Sequence, residues 1–160
     1  MDQPPLSQHL RFLFRSEQGR IGKRDWWQGV AILAAILVVA TLIWKIVAPF
    51  TDRGLDERAM IDPGSIVAYT YSLLFALIIM LCAVSFMMLS TKRLRDCGKP
   101  TPLASLLPMA ALLSGATHWL QPRVAEVMSY NWVYGIDLLM LGVAIWTIYT
   151  LGVSNDHASD

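Results

Sequence analysis

The sequence predicts an all-α protein: a polytopic four-helix transmembrane bundle with a short N-terminal amphipathic interfacial helix. Two observations lead there. Hydrophobic residues make up 55% of the 160 and charged residues 16%, with a mean hydropathy of +0.47. A soluble domain carries about 25% charged residues, and so short a chain has too little interior to hide this much apolar surface. The second observation is four stretches without Asp, Glu, Lys or Arg: 19 residues from Trp26 to Trp44, 29 from Pro63 to Thr91, 23 from Pro100 to Pro122 and 18 from Leu138 to Asn155. A bilayer core about 30 Å thick takes about 20 residues of helix. The composition excludes a disordered chain, a basic nucleic-acid-binding domain and a disulfide scaffold.

One membrane domain over 1–160 is expected. Its parts are a cytoplasmic interfacial segment at 1–25, helices near 26–48, 66–91, 101–121 and 130–152, and a tail at 153–160. In the first segment, Leu6, Leu10, Leu13 and Phe14 recur at helical spacing, with Arg11, Arg15 and Glu17 on other faces. That pattern suits a helix lying on the inner leaflet. The first apolar stretch begins too late and runs too long for a signal peptide, and lacks a small-residue cleavage site. Gly22 can cap its helix, and Asp25 suits the positive helix end. Trp26 and Trp27 are expected at the water–lipid boundary.

The second stretch exceeds one span, with Pro63 and Gly64 at its entrance. Past its end stand four cations in eight residues, Lys92, Arg93, Arg95 and Lys99. If the helix reaches Asp96, Arg93 and Asp96 are neighbours at i, i+3. Gly98 can end it in the left-handed conformation, and Pro100 forbids its continuation. The third stretch contains Pro102, tolerated in a first turn, and Pro108, expected to kink a helix. The fourth helix begins near Ser129 and carries Asp137.

Lys and Arg flanking the helices number nine on the side of the N-terminus and four on the other. The positive-inside rule then places both termini in the cytoplasm. The cytoplasmic rim of Arg20, Lys23, Arg24, Trp26, Trp27, Lys92, Arg93, Arg95 and Lys99 is the candidate surface for anionic lipid headgroups or an acidic partner.

The segments GRIGKRDWW (residues 19–27) and KRLRDCGK (residues 92–99) resemble those of the YhaH-like bacterial inner-membrane proteins. These are small four-helix proteins whose domain has no assigned function. Family members show a GRxxRRxFW-like opening and an RRLHDxGxSGWW-like hairpin. Gly19, Arg20, Arg24, Trp27, Arg93, Leu94, Asp96 and Gly98 match, and Lys23, Trp26 and Lys92 are conservative replacements. Arg95 stands where a His is usual, and Pro102-Leu103 where the aromatic pair stands. The tail Leu151-Gly152-Val153-Ser154-Asn155 echoes the family's Gly- and Asn-containing end. The resemblance implies a fold and a bacterial inner-membrane location, and no activity.

Three polar residues fall at membrane depth: Lys45, His118 and Asp137. Ionisable groups there are costly and point to a role. The expected arrangement is one layer near the outer ends of helices one, three and four. A structural pair of Asp137 with Lys45 or with a Tyr or Trp donor is favoured over a proton or ion path using Asp137 and His118, because a path needs polar groups at several depths. Ala31 with Ala35, Ala110 with Ser114 and Ala111 with Gly115 supply the small-residue spacing of close helix contacts. Cys82 and Cys97 form no CxxC, and the three histidines have no metal spacing. No catalytic motif, cofactor site or metal site is proposed by the sequence, so a non-enzyme is expected. The favoured function is an accessory or scaffold subunit beside a larger membrane complex. The alternative is a small oligomeric transporter using Asp137 with Lys45 and His118. The partners are a bilayer with anionic headgroups and a larger complex or a second copy of the chain; nucleic acid is not one.

Overall fold

A computed structural model describes residues 14, 19–50, 63–126 and 129–153. The expected interfacial helix of the N-terminal segment lies almost wholly outside these residues. The described chain is all-α, without a strand among the described residues. Its long helices are α1 (Lys23–Val47), α2 (Pro63–Asp96), α3 (Leu106–Leu120) and α4 (Tyr130–Thr147). Short 3-10 turns extend α1 through Ala48–Phe50, precede α3 at Thr101–Ser105 and follow it at Gln121–Arg123. A π-helical segment, Ile148–Val153, continues α4. Counted with these extensions, four helices are long and apolar enough to cross a membrane, and the chain is a multi-pass membrane protein by that measure.

Local chemistry explains the helix limits. The Trp26 N–H donates to the Gly22 carbonyl at 3.1 Å, so α1 starts from Gly22, with Asp25 in its first turn. Pro63 opens α2, where its missing N–H costs nothing. The end of α2 is a Schellman motif: Lys99 N–H donates to Leu94 O at 2.9 Å and Gly98 N–H to Arg95 O at 3.3 Å. Gly98 takes φ +64° there, a conformation in which a Cβ would crowd the backbone. The 34 residues of α2 therefore carry the apolar stretch and its cationic end on one continuous helix.

Pro108 does not sit in a helix interior. The 3-10 turn at Thr101–Ser105 delays the start of α3 to Leu106. Pro108 then falls in the first turn, among N–H groups that lack an intrahelical acceptor in any case. Ser105 Oγ donates to Pro102 O at 2.7 Å within that turn. At the start of α4, Ser129 Oγ accepts from Asn131 N–H at 3.3 Å, a conventional N-cap.

The chain forms two compact units, Met1–Gly29 with Ser85–Asp160, and Val30–Val84. In the first, α3 and α4 pack together. Ala110, Ser114 and Thr117 are buried on α3, and Val133 and Thr147 on α4. In the second, Ala40 and Ala68 are buried. Trp44 stacks on Phe75 at 5.6 Å between ring centroids, nearly parallel at 6°. The Tyr71 hydroxyl donates to Ala40 O at 2.7 Å, so an aromatic column and one backbone acceptor join the two helices of this unit.

Gly98→Ala meets no steric neighbour, since nothing lies within 4 Å of the added Cβ. The expected cost is therefore backbone strain alone, about 1 kcal/mol. Gly98→Asn should lose less. Reversible denaturation in detergent micelles, followed by circular dichroism, measures both.

Candidate functional site

Two polar clusters stand out, both in the unit that contains α3 and α4. The first is built on the end of α4. A helix leaves its last four carbonyls without intrahelical partners, and where they are buried they must be met by other protein groups. Three successive carbonyls of the π-helical segment find donors. Arg93 Nε donates to Leu151 O at 3.0 Å. Trp27 Nε1 donates to Gly152 O at 3.2 Å. Lys23 Nζ donates to Val153 O at 3.5 Å. Arg93 and Lys23 also place positive charge at the negative end of the helix.

Arg93 is held from its other side. Its Nη1 donates to Asp96 Oδ2 at 2.6 Å, the i, i+3 pair on α2, and Arg93 is 0% exposed. Trp26 is 1% exposed, its Nε1 donating to Ser90 Oγ at 3.5 Å. Trp26 and Trp27 meet edge to face at 5.1 Å. Gly152 lies directly against both indoles: a Cβ there would stand 2.8 Å from Trp27 Cζ2 and 3.2 Å from Trp26 Cζ3. Glycine is the residue that lets the backbone approach so closely.

These contacts redistribute the expected cytoplasmic rim. Trp26, Lys92 and Arg93 are buried in the protein rather than turned to headgroups. For Trp26 and Arg93 the reason is the same: acceptors inside the fold meet their N–H groups. Trp27 is 41% exposed while its indole N–H points inward. Arg20, Lys23, Arg24 and Arg95 are exposed, and Lys99 is half-buried. The thiols of Cys82 and Cys97 are free and buried.

The second cluster lies between α3 and α4. Ser114 Oγ donates to Asp137 Oδ1 at 2.6 Å. His118 Nε2 is 3.5 Å from Asp137 Oδ2. The other ring nitrogen, Nδ1, is 3.0 Å from the Ser114 carbonyl, which also accepts from Thr117 Oγ1 at 2.8 Å. Asp137 is the eighth residue of α4, roughly 10 Å along the axis from Tyr130. His118 and Asp137 of the expected polar layer thus meet. Lys45 is exposed and belongs to the other unit.

Sequence reasoning missed two parts of these clusters. Ser114 was read as a small contact residue, yet its i, i+4 spacing to His118 puts both on one face. The acceptors at Leu151, Gly152 and Val153 are backbone atoms, and the glycine among aromatic neighbours was their one visible sign.

The model of a family described as protein of unknown function (DUF805) matches residues 14–155. The match spans most of the chain and both clusters, and the protein belongs to this family. No curated protein and no solved structure matches the chain.

Removing Arg93 strands the Asp96 carboxylate and the Leu151 carbonyl. Arg93→Ala should cost about 3 kcal/mol of stability, and Arg93→Lys should recover part of it. The exposed Arg95→Gln should cost under about 0.5 kcal/mol. Gly152→Ala forces two packed indoles apart and should cost about 1–3 kcal/mol. Denaturant titration of the purified variants in micelles ranks the four.

Proposed function

We propose that this member of the DUF805 family is a non-catalytic accessory or scaffold subunit of the bacterial inner membrane, akin to the YhaH-like proteins. The carrying observation is the use to which the most polar motif is put. Arg93, Trp26, Trp27 and Lys23 are engaged with Ser90, Asp96 and the carbonyls of the last helix. They build the fold rather than face a substrate. With both termini in the cytoplasm, as the charge asymmetry favours, the exposed Arg20, Arg24 and Arg95 meet anionic headgroups. The partner complex meets apolar helix flanks. Ala31, Ala35, Ala111 and Gly115 are all exposed, and small residues at helical spacing permit close helix approach.

A second reading is favoured by one observation, the contact of His118 with Asp137 in an apolar helix pair. Under it the protein is a small oligomeric transporter of ions or solutes, with Lys45 as a third polar group.

Gentle extraction of the native protein from its own membranes, native-size separation and mass spectrometry decide between them. Co-migration with one defined larger complex is the expected outcome. Migration alone or as a homo-oligomer overturns the accessory reading, and flux lost on Asp137→Asn would then establish the second.

A further inference from the structure

The His118 ring is placed between two acceptors. Its Nδ1 is 3.0 Å from the Ser114 carbonyl oxygen, which has no proton to give. Its Nε2 is 3.5 Å from Asp137 Oδ2. The other carboxylate oxygen is occupied, since it accepts from Ser114 Oγ. A neutral imidazole has one N–H and one lone pair. Facing an ionised carboxylate and a carbonyl, it satisfies one contact and opposes the other, whichever tautomer it adopts. Adding one proton removes the conflict. Either the ring is imidazolium and donates to both oxygens, or Nδ1–H donates to the carbonyl while protonated Asp137 Oδ2–H donates to Nε2. The proton count is the same in both cases.

Charge works in the same direction. Without the extra proton the cluster carries a net negative charge within an apolar helix pair; with it, the cluster is neutral overall. Neither side chain is enclosed by the helix pair, with side-chain exposures of 53% for His118 and 35% for Asp137.

The other ionisable groups along this helix pair, among the described residues, have their own places. The Arg123 guanidinium lies over the Trp119 ring at 3.9 Å and donates to the Trp119 carbonyl. Glu126 is exposed in the turn after α3. Tyr130 and Tyr134 pack on each other at 5.4 Å between centroids, and Tyr149 is exposed near the far end.

We propose that Ser114, His118 and Asp137 form a proton-binding site in which the contact between α3 and α4 closes on uptake of one proton from water. Ser114 orients the carboxylate, His118 and Asp137 share the proton, and no covalent step is involved. The α3–α4 pair is thereby a pH-responsive element. This goes beyond the accessory reading and stands or falls independently of it, because the site needs neither a partner complex nor a continuous path.

Solid-state nuclear magnetic resonance of the full-length chain in liposomes tests it, with 15N-labelled histidine and 13C-labelled aspartate. The chain holds three histidines, and His118→Gln assigns the signal. In acid the His118–Asp137 pair should hold its extra proton, with Nε2 close to the Asp137 carboxyl carbon. On alkalinisation that proton should leave, and one of the two contacts, Nε2 to Asp137 or Nδ1 to Ser114, should lengthen in step. Both distances remaining unchanged through the loss of the proton would overturn the proposal. So would an intact pair of contacts around a ring with one proton and an ionised Asp137 at every pH. Asp137→Asn gives an independent arm. An amide N–H can donate to Nε2, so the contact should then persist in alkali without a second ring proton. Should that variant not fold, the wild-type pH series alone decides.

Discussion

Everything at one end of this protein follows from the need to give the last helix's carbonyls partners. Leu151 and Gly152 are buried, and buried backbone acceptors need donors from the protein. Here they come from distant parts of the chain. Lys23 and Trp27 stand at the start of α1, and Arg93 near the end of α2. The three carbonyls they reach are consecutive and lie in the π-helical segment Ile148–Val153, at a helix end where carbonyls lack intrahelical partners. Gly152 completes the arrangement by letting two indoles lie against bare backbone. Asp96 balances the Arg93 charge, so the cluster does not bury an isolated cation.

That constraint also orders the elements leading into it. α2 has to continue past its apolar stretch to carry Arg93 and Asp96 together on one face, and the Schellman motif at Gly98 ends it soon after. The 3-10 turn beyond then shifts the start of α3 so that Pro108 falls in a first turn. A proline that reads as a kink in the linear sequence becomes harmless through a change in where the helix begins.

Much of this was legible in the residues, and the parts that were not have identifiable causes. The four apolar stretches marked the helices because few other arrangements satisfy backbone in lipid. Gly98 and the Arg93–Asp96 spacing were readable because turn chemistry and helix neighbours are local in sequence. Burial of Trp26 was not readable. Tryptophan next to basic residues at a helix start has the same signature whether it faces headgroups or the protein, and the deciding groups, Ser90 and Gly152, lie far along the chain. Membership of the DUF805 family agrees with the motif resemblance at the level of fold. That His118 and Asp137 share a depth was legible in the residues, but which donor meets Asp137 was not; Ser114 was hidden because a small residue on a helix face reads as packing.

The two clusters sit on one helix. From Asp137 to the end of α4 at Thr147 is about 15 Å at 1.5 Å per residue, and Leu151 lies beyond it in the π-helical segment. They differ in the chemistry of their donors. Arginine stays charged at any physiological pH, and an indole N–H does not titrate there. The contacts of Arg93 and Trp27 at the far end therefore persist across conditions and hold α4 in place. Nearer its start, α4 depends on the contacts of Asp137 with Ser114 and His118. The segment that continues α4 is thus fastened by permanent donors, and α4 itself is joined to α3 at its eighth residue by a contact whose completion requires a proton. A helix held in this way can loosen locally from α3 without losing its place in the fold. That is the physical basis on which a small membrane protein can respond to pH while keeping its core intact.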